Sequence, residues 1–176
     1  MKTEIIYKIL PYVVDDVEDV QKMWAQSWRE TYPSEEHGVS KKWVEQRLAE
    51  KLSPEGIERR REQVVTQQGN PDIFFKIAKD KTGKVVGMIM GERKDGKDHL
   101  NALYTASETH GTGLAQAMMR QFFEWASKDT PISTTVASYN KRARKFYEKM
   151  GFSEIPGSEH LFDDKIPSVI LVKNHK

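Results

Sequence analysis

The stretch Glu108 to Met119, ETHGTGLAQAMM, sets two glycines directly ahead of a run with helical spacing. A helix N-terminus carries unpaired backbone N–H groups and the positive end of the helix dipole, so anionic oxygens settle there. Gly111 and Gly113 allow successive N–H groups to turn into one concavity, a shape that suits a pyrophosphate. The same residues also serve as a plain helix start, and spacing removes two of the more specific readings. A Walker loop requires lysine and then serine or threonine after its last glycine, whereas Gly113 is followed by Leu114 and Ala115. A dinucleotide fingerprint requires glycine where Gln116 stands. Two further polar residues have the types that chemistry uses. Asn140 precedes a helical run and fits an N-cap. Tyr147 lies four residues after Ala143 and beside Phe146, a spacing that by itself reads as core.

The elements that must position these residues follow from periodicity. Glu4 to Leu10 is apolar and β-rich, and Asp15, Asp16 and Glu18 then form a helix start of the capping-box kind. Val17, Val20, Trp24 and Trp28 make one stripe on a helix that runs toward Tyr32 and stops at Pro33. Further helices begin near Ser40 and at Ser53, where SPEG supplies a cap and then proline at the first helical position. The run ERRRE, Glu58 to Glu62, reads as a solvated face. Beyond the loop QQGNPD, three β-type runs (IFFKIAKD, GKVVGMIMGER and HLNALYTAS) predict an antiparallel meander. Leu114, Met118, Phe122 and Trp125 then stripe the helix behind the glycine turn, and Ala115, Met119 and Ala126 widen that stripe. PISTTVAS is a strand, KRARKFYEKM a helix closed by Gly151, and GFSEI and SVILVKN two last strands.

Composition bounds the function. At 176 residues the chain predicts a single domain over 1–176, and 38% hydrophobic with 31% charged residues places it among globular proteins. A net charge of +2 offers no broad basic field for nucleic acid. No apolar run reaches a membrane span and the N-terminus lacks signal-peptide features, so a cytoplasmic protein is expected. The absence of cysteine removes disulfides and a cysteinyl intermediate, and the histidines at 37, 99, 110, 160 and 175 have no metal-ligand spacing, so no metal is expected.

One spacing fits better than those excluded above: His110, Gly113 and Ala115 occupy the places of a Q/R-x-x-G-x-G/A element, and downstream VASYNKRARKFYEKMGF, Val136 to Phe152, supplies a matching second signature. Together they resemble the GNAT superfamily of N-acetyltransferases, over nearly the whole chain and best from Phe74 to Phe152. The resemblance implies an α/β (α+β) fold with a central mixed, mostly antiparallel sheet of six to seven strands flanked by helices. Strands 4 and 5 then splay to form the cleft for acetyl-CoA, the implied cosubstrate. Leu103, Tyr104 and Thr105 match the strand whose backbone pairs with the pantetheine arm. His110, Gly111, Thr112, Gly113, Leu114 and Ala115 match the pyrophosphate loop, with His110 departing from the usual Gln or Arg. Asn140 matches the residue that takes the arm from the other side. Tyr147 matches the tyrosine near the sulfur, which makes it both a cofactor contact and the implied catalytic acid.

The implied chemistry is attack of an amine on the thioester carbonyl in a ternary complex. It needs an oxyanion donor, placed by the resemblance at the backbone N–H near Leu103, and a neutral amine, although a lysine-type amine has a pKa of about 10.4. Phenol from Tyr147 suits a leaving thiolate of pKa roughly 8.5. Where relatives carry a glutamate on the fourth strand this chain has Asn101, so Glu92, His99 or a water chain is the expected base. The segment WRETYPSEE falls where the acceptor pocket is walled, with Trp28 and Tyr32 as its expected lining, although Trp24 and Trp28 also have the spacing of packed residues. Glu30, Glu35 and Glu36 favour a cationic amine such as a polyamine; a peptide amine is equally compatible. A monomer or homodimer is expected. Two competing readings are an acyl-CoA-binding regulatory module without turnover and a nucleotide-binding protein of other chemistry.

Overall fold

A computed structural model describes residues 7–175. The chain runs β1 (Lys8–Pro11), α1 (Val17–Thr31), α2 (Lys41–Leu52), α3 (Pro54–Gln67), β2 (Ile73–Lys79), β3 (Val85–Lys94), β4 (Lys97–Thr105), α4 (Leu114–Trp125), β5 (Ile132–Ala137), α5 (Lys141–Lys149), β6 (Ser153–Glu154), β7 (His160–Phe162) and β8 (Ile166–Lys173). The strands form one sheet in the order β1-β2-β3-β4-β5-β8-β6, with β7 also on β8. Every pairing is antiparallel except β4 with β5. The expected mixed, mostly antiparallel sheet is therefore present, with eight strands instead of six or seven.

Helix starts follow the cap chemistry in three of four cases, Asn140 ahead of α5 among them. Ser40 and Ser53 accept from the N–H groups of Trp43 and Gly56, and Pro54 opens α3. The capping box expected at Asp15 does not form. Val14–Asp16 is instead a 3-10 turn, and the Asp16 carboxylate accepts from Lys79 Nζ at 2.6 Å on β2. An available ammonium outcompetes a backbone N–H because the bond is charge-assisted at both ends. The strand expected from Glu4 begins at Lys8 among the described residues; Glu4, Ile5 and Ile6 lie outside them.

Two layers of helix cover the sheet. On one face α4 and α5 bury Leu114, Met118, Met119, Phe122 and Tyr147 against Phe74, Ile89, Leu100 and Val136. On the other, α1 to α3 bury Val17, Val20 and Val64 against Ile77 and Met88, and Trp28 and Leu48 against Ala137 and Ile166. Close approach of α4 depends on Gly91 of β3, where a Cβ would sit 2.3 Å from Phe122 Cε2.

The site is created by a break in the sheet. β4 and β5 pair only from Asp98/Ile132 to Leu100/Thr134. At the next residue β4 carries a bulge: Met90 faces Ala102 and Gly91 faces Leu100, leaving Asn101 as the extra residue. A bulge bends its strand and increases the local twist. From there β4 follows β3 while β5 follows β8, and a gap opens through the sheet.

Candidate active site

The gap is a cleft of about 230 Å³. One wall is β4 from Asn101 to Thr105, the other β5 from Thr134 to Ala137. Because the opening passes between strands, it reaches both faces: the α4 loop and α5 line it from one, and Ser27, Thr31 and Tyr32 of α1 and its end from the other. Two reactants can therefore meet in it from opposite sides.

Along β4 the backbone is available. Ala106 N–H donates to Val86 O on β3, and alternation along the strand puts the N–H and C=O of Leu103 and Thr105 on the opposite, unpaired edge. Thr105 O is used, accepting from His110 Nε2 at 3.3 Å. Leu103 keeps both groups toward the cleft.

The loop beyond β4 has the geometry that its glycines permit. Gly111 and Gly113 adopt φ of 78° and 89°, left-handed values that are uncommon for other residues. Gly113 is the N-cap of α4 and has no side chain with which to satisfy the first turn. The N–H groups of Gly111, Gly113, Leu114, Ala115 and Gln116 have no hydrogen-bond acceptor among the described residues, and all five residues line the cleft. Thr112 departs from the expectation. Its N–H and its hydroxyl both donate to Thr109 O, at 3.2 and 2.7 Å, so it braces the loop from behind and does not line the cleft.

Across the gap, Asn140 does what its position before α5 suggests: Oδ1 accepts from Ala143 N–H at 3.1 Å. Its side-chain amide nitrogen remains available to the cleft that the residue lines. Tyr147 is 7% exposed and lines the floor. Burial pushes its phenol well above the ordinary tyrosine value, the Thr134 hydroxyl pulls it back in part, and Tyr104 adds to the rise.

On the α1 side the two expected lining residues part company. Tyr32 lines the cleft, its hydroxyl 2.9 Å from that of Tyr104, while the Tyr139 hydroxyl donates to its carbonyl at 2.6 Å. Burial again raises the Tyr32 phenol well above its usual value. Trp28 does not line the cleft. It is 5% exposed, with ring centroids 4.9 Å from Trp24 and 4.7 Å from Tyr32, and it holds Tyr32 in place from within the core. Of the three acidic residues, Glu30 lines a second cavity of about 330 Å³ that shares Ser27 with the cleft; Glu35 and Glu36 line neither.

The expected bases are not at the site. Glu92 and His99 face each other across β3 and β4 on the paired side of the bulge, and His99 Nδ1 lies 2.6 Å from Ser133 Oγ. No aspartate or glutamate lines the cleft among the described residues. No group of three or more His, Asp and Glu able to hold a metal occurs among them either, and no helix among them is long and apolar enough to cross a membrane. Sequence reasoning passed over Arg142, Thr134, Ser27 and Thr31, all of which line the cleft. Only Arg142 carried any signal, as one cation among four in KRARK, and nothing in that run distinguishes it.

Known proteins are similar to this chain in sequence and fold. Residues 17–152 match the sequence profile of the acetyltransferase (GNAT) family. An uncharacterised N-acetyltransferase of Methanocaldococcus jannaschii is 27% identical over 107 residues, covering 58% of this chain and 67% of that protein. An uncharacterised N-acetyltransferase of Mycobacterium tuberculosis is 36% identical over 75 residues, which is 40% of this chain and about half (47%) of the relative. The crystal structure of the PaiA N-acetyltransferase of Thermoplasma acidophilum, in complex with coenzyme A, superposes with a TM-score of 0.74 at 23% identity, covering 96% of this chain and 99% of that one. With the profile spanning most of the chain, both signature segments inside it and the splayed cleft between β4 and β5, the chain belongs to the GNAT acetyltransferase family.

Proposed function

We propose that this acyltransferase moves an acetyl group from acetyl-CoA to a primary amine of a small molecule or peptide, by direct attack in a ternary complex. The observation that carries the reading is the set of five unpaired N–H groups at Gly111, Gly113, Leu114, Ala115 and Gln116, gathered on the lining of the cleft that Tyr147 also lines. When bound, acetyl-CoA supplies an activated thioester carbonyl. The loop amides take its pyrophosphate, as a helix N-terminus does for phosphate. Leu103 C=O and Thr105 N–H receive the pantetheine amides in the manner of an added strand, and Asn140 lines the cleft from β5's side. With the thioester drawn inward along this edge, the strand's N–H near Leu103 meets the oxygen on which charge develops.

The acceptor reaches the carbonyl from the α1 side, past Ser27, Thr31 and Tyr32. In the cavity beside Ser27, Asp19, Glu30 and Glu108 outnumber Lys22 and Lys84, which favours an acceptor with a second positive charge such as a polyamine. No carboxylate stands ready to take the amine proton, so the amine sheds it through water in the cleft. Tyr147 donates a hydrogen bond to the departing sulfur. The test is release of free thiol from acetyl-CoA with polyamines, aminoglycosides, amino acids and peptides as acceptors. Amine-dependent release is expected. Binding of acetyl-CoA with no acceptor-dependent release from any class would favour a regulatory acyl-CoA-binding module instead.

A further inference from the structure

We infer that Arg142 is the cationic side chain of the phosphate site and that His110 acts as its positioning residue, an inference that rests on the acetyl-CoA reading above. Arg142 is the second residue of α5 and His110 directly precedes the glycine loop of α4, so the two lie on the connections that leave opposite walls of the cleft. Arg142 Nη1 is 2.8 Å from His110 Nδ1. A guanidinium has donors only, which assigns the roles: Nδ1 accepts, and the ring's proton sits on Nε2, from which it is donated to Thr105 O. Both ring nitrogens are thereby committed. His110 has no donor left to offer a ligand, and its contribution is to pin a long side chain beside the loop.

The guanidinium itself is far from used up. One of its five N–H donors is taken, and no carboxylate forms an ion pair with it among the described residues. Its neighbours differ. Arg144, two residues further along α5 and on a different face of the helix, is paired with Glu154 and donates to Ser138 O. Glu108, the acidic residue nearest His110 in the loop, is held by Lys84 Nζ at 2.6 Å and does not compete. A free guanidinium fixed at the mouth of a cleft, beside five free amides, is matched by a phosphate oxygen, to which arginine makes short, charge-assisted and often paired hydrogen bonds. The phosphate is either the pyrophosphate or the 3′-phosphate of CoA.

Calorimetric titration with CoA and dephospho-CoA, and NMR titration with pantetheine, separates these cases in the wild type, Arg142→Gln, His110→Ala and the double variant. Arg142→Gln is expected to weaken CoA binding about 10- to 100-fold and to leave pantetheine binding unchanged. Persistence of that loss with dephospho-CoA places the guanidinium on the pyrophosphate; its disappearance places it on the 3′-phosphate. His110→Ala is expected to cost less, about 3- to 10-fold, and to cost nothing further once Arg142 is Gln, because a positioning residue has nothing left to position. Unchanged CoA affinity in Arg142→Gln, equal losses for CoA and pantetheine, or additive losses in the double variant would overturn the inference while leaving the acetyl-CoA reading intact. Failure of the wild type to bind CoA would overturn both.

Discussion

Burial raises the Tyr147 phenol well above the ordinary tyrosine value and so favours its protonated form where a primary amine loses its proton. That makes it a dependable hydrogen-bond donor to sulfur and a reluctant source of a whole proton. In the proposed mechanism a thiolate of pKa about 8.5 draws little proton from such a phenol, so the proton on the product thiol is expected from the attacking nitrogen, with Tyr147 stabilising charge on the leaving atom. Tyr147→Phe is therefore expected to lower kcat about 10- to 100-fold with KM for acetyl-CoA within about twofold. In the wild type, kcat/KM should rise with pH as the amine deprotonates, with no downturn from Tyr147 up to about pH 10. Steady-state rates across pH check both points; a variant as fast as the wild type would remove Tyr147 from the reaction.

In the proposed reading the loop and α4 form the element that holds the phosphates, and its weak point is Gly113, a left-handed N-cap at φ 89°. A Cβ there meets no atom within 4 Å, so the cost of Gly113→Ala is conformational and not steric, about 1 kcal/mol. Relaxing that strain rotates the amides that follow. CoA affinity is expected to fall about tenfold or more while the melting temperature drops only a few degrees, and unchanged affinity by calorimetry would show that the loop does not hold the phosphates. Much of this element was legible in the chain, because the Leu114, Met118 and Phe122 stripe and the two glycines are local signals. Asn140 was equally legible as a cap. Three features were not. The bulge at Asn101 depends on how β4 registers against β3, which no local pattern states. β7 exposes Leu161 and Phe162 and forms because a tight turn at Asp163 and Asp164, with φ of 53° and 55°, folds it back on β8, so it lacks the alternation of a half-buried strand. Trp28 has the spacing of a core residue and of a pocket residue alike, and only the packing of α1 on β5 and β8 decides for the core.

At the scale of the molecule, the sheet works as two half-sheets joined at three residue pairs, with the cleft as their divergence. In the proposed reading the cofactor is held from the connections after β4 and β5 and the acceptor enters from the α1 face, so neither reactant has to pass the other. Everything in the account depends on the phosphates of CoA resting on the amides ahead of α4. The direct measurement is a backbone amide NMR titration with CoA. The largest shifts are expected at Gly111, Gly113, Leu114, Ala115 and Gln116, with Thr112, whose N–H is already bonded to Thr109 O, moving least within the loop. Saturable CoA binding that leaves those five amides unmoved, or no CoA binding at all, would contradict that expectation.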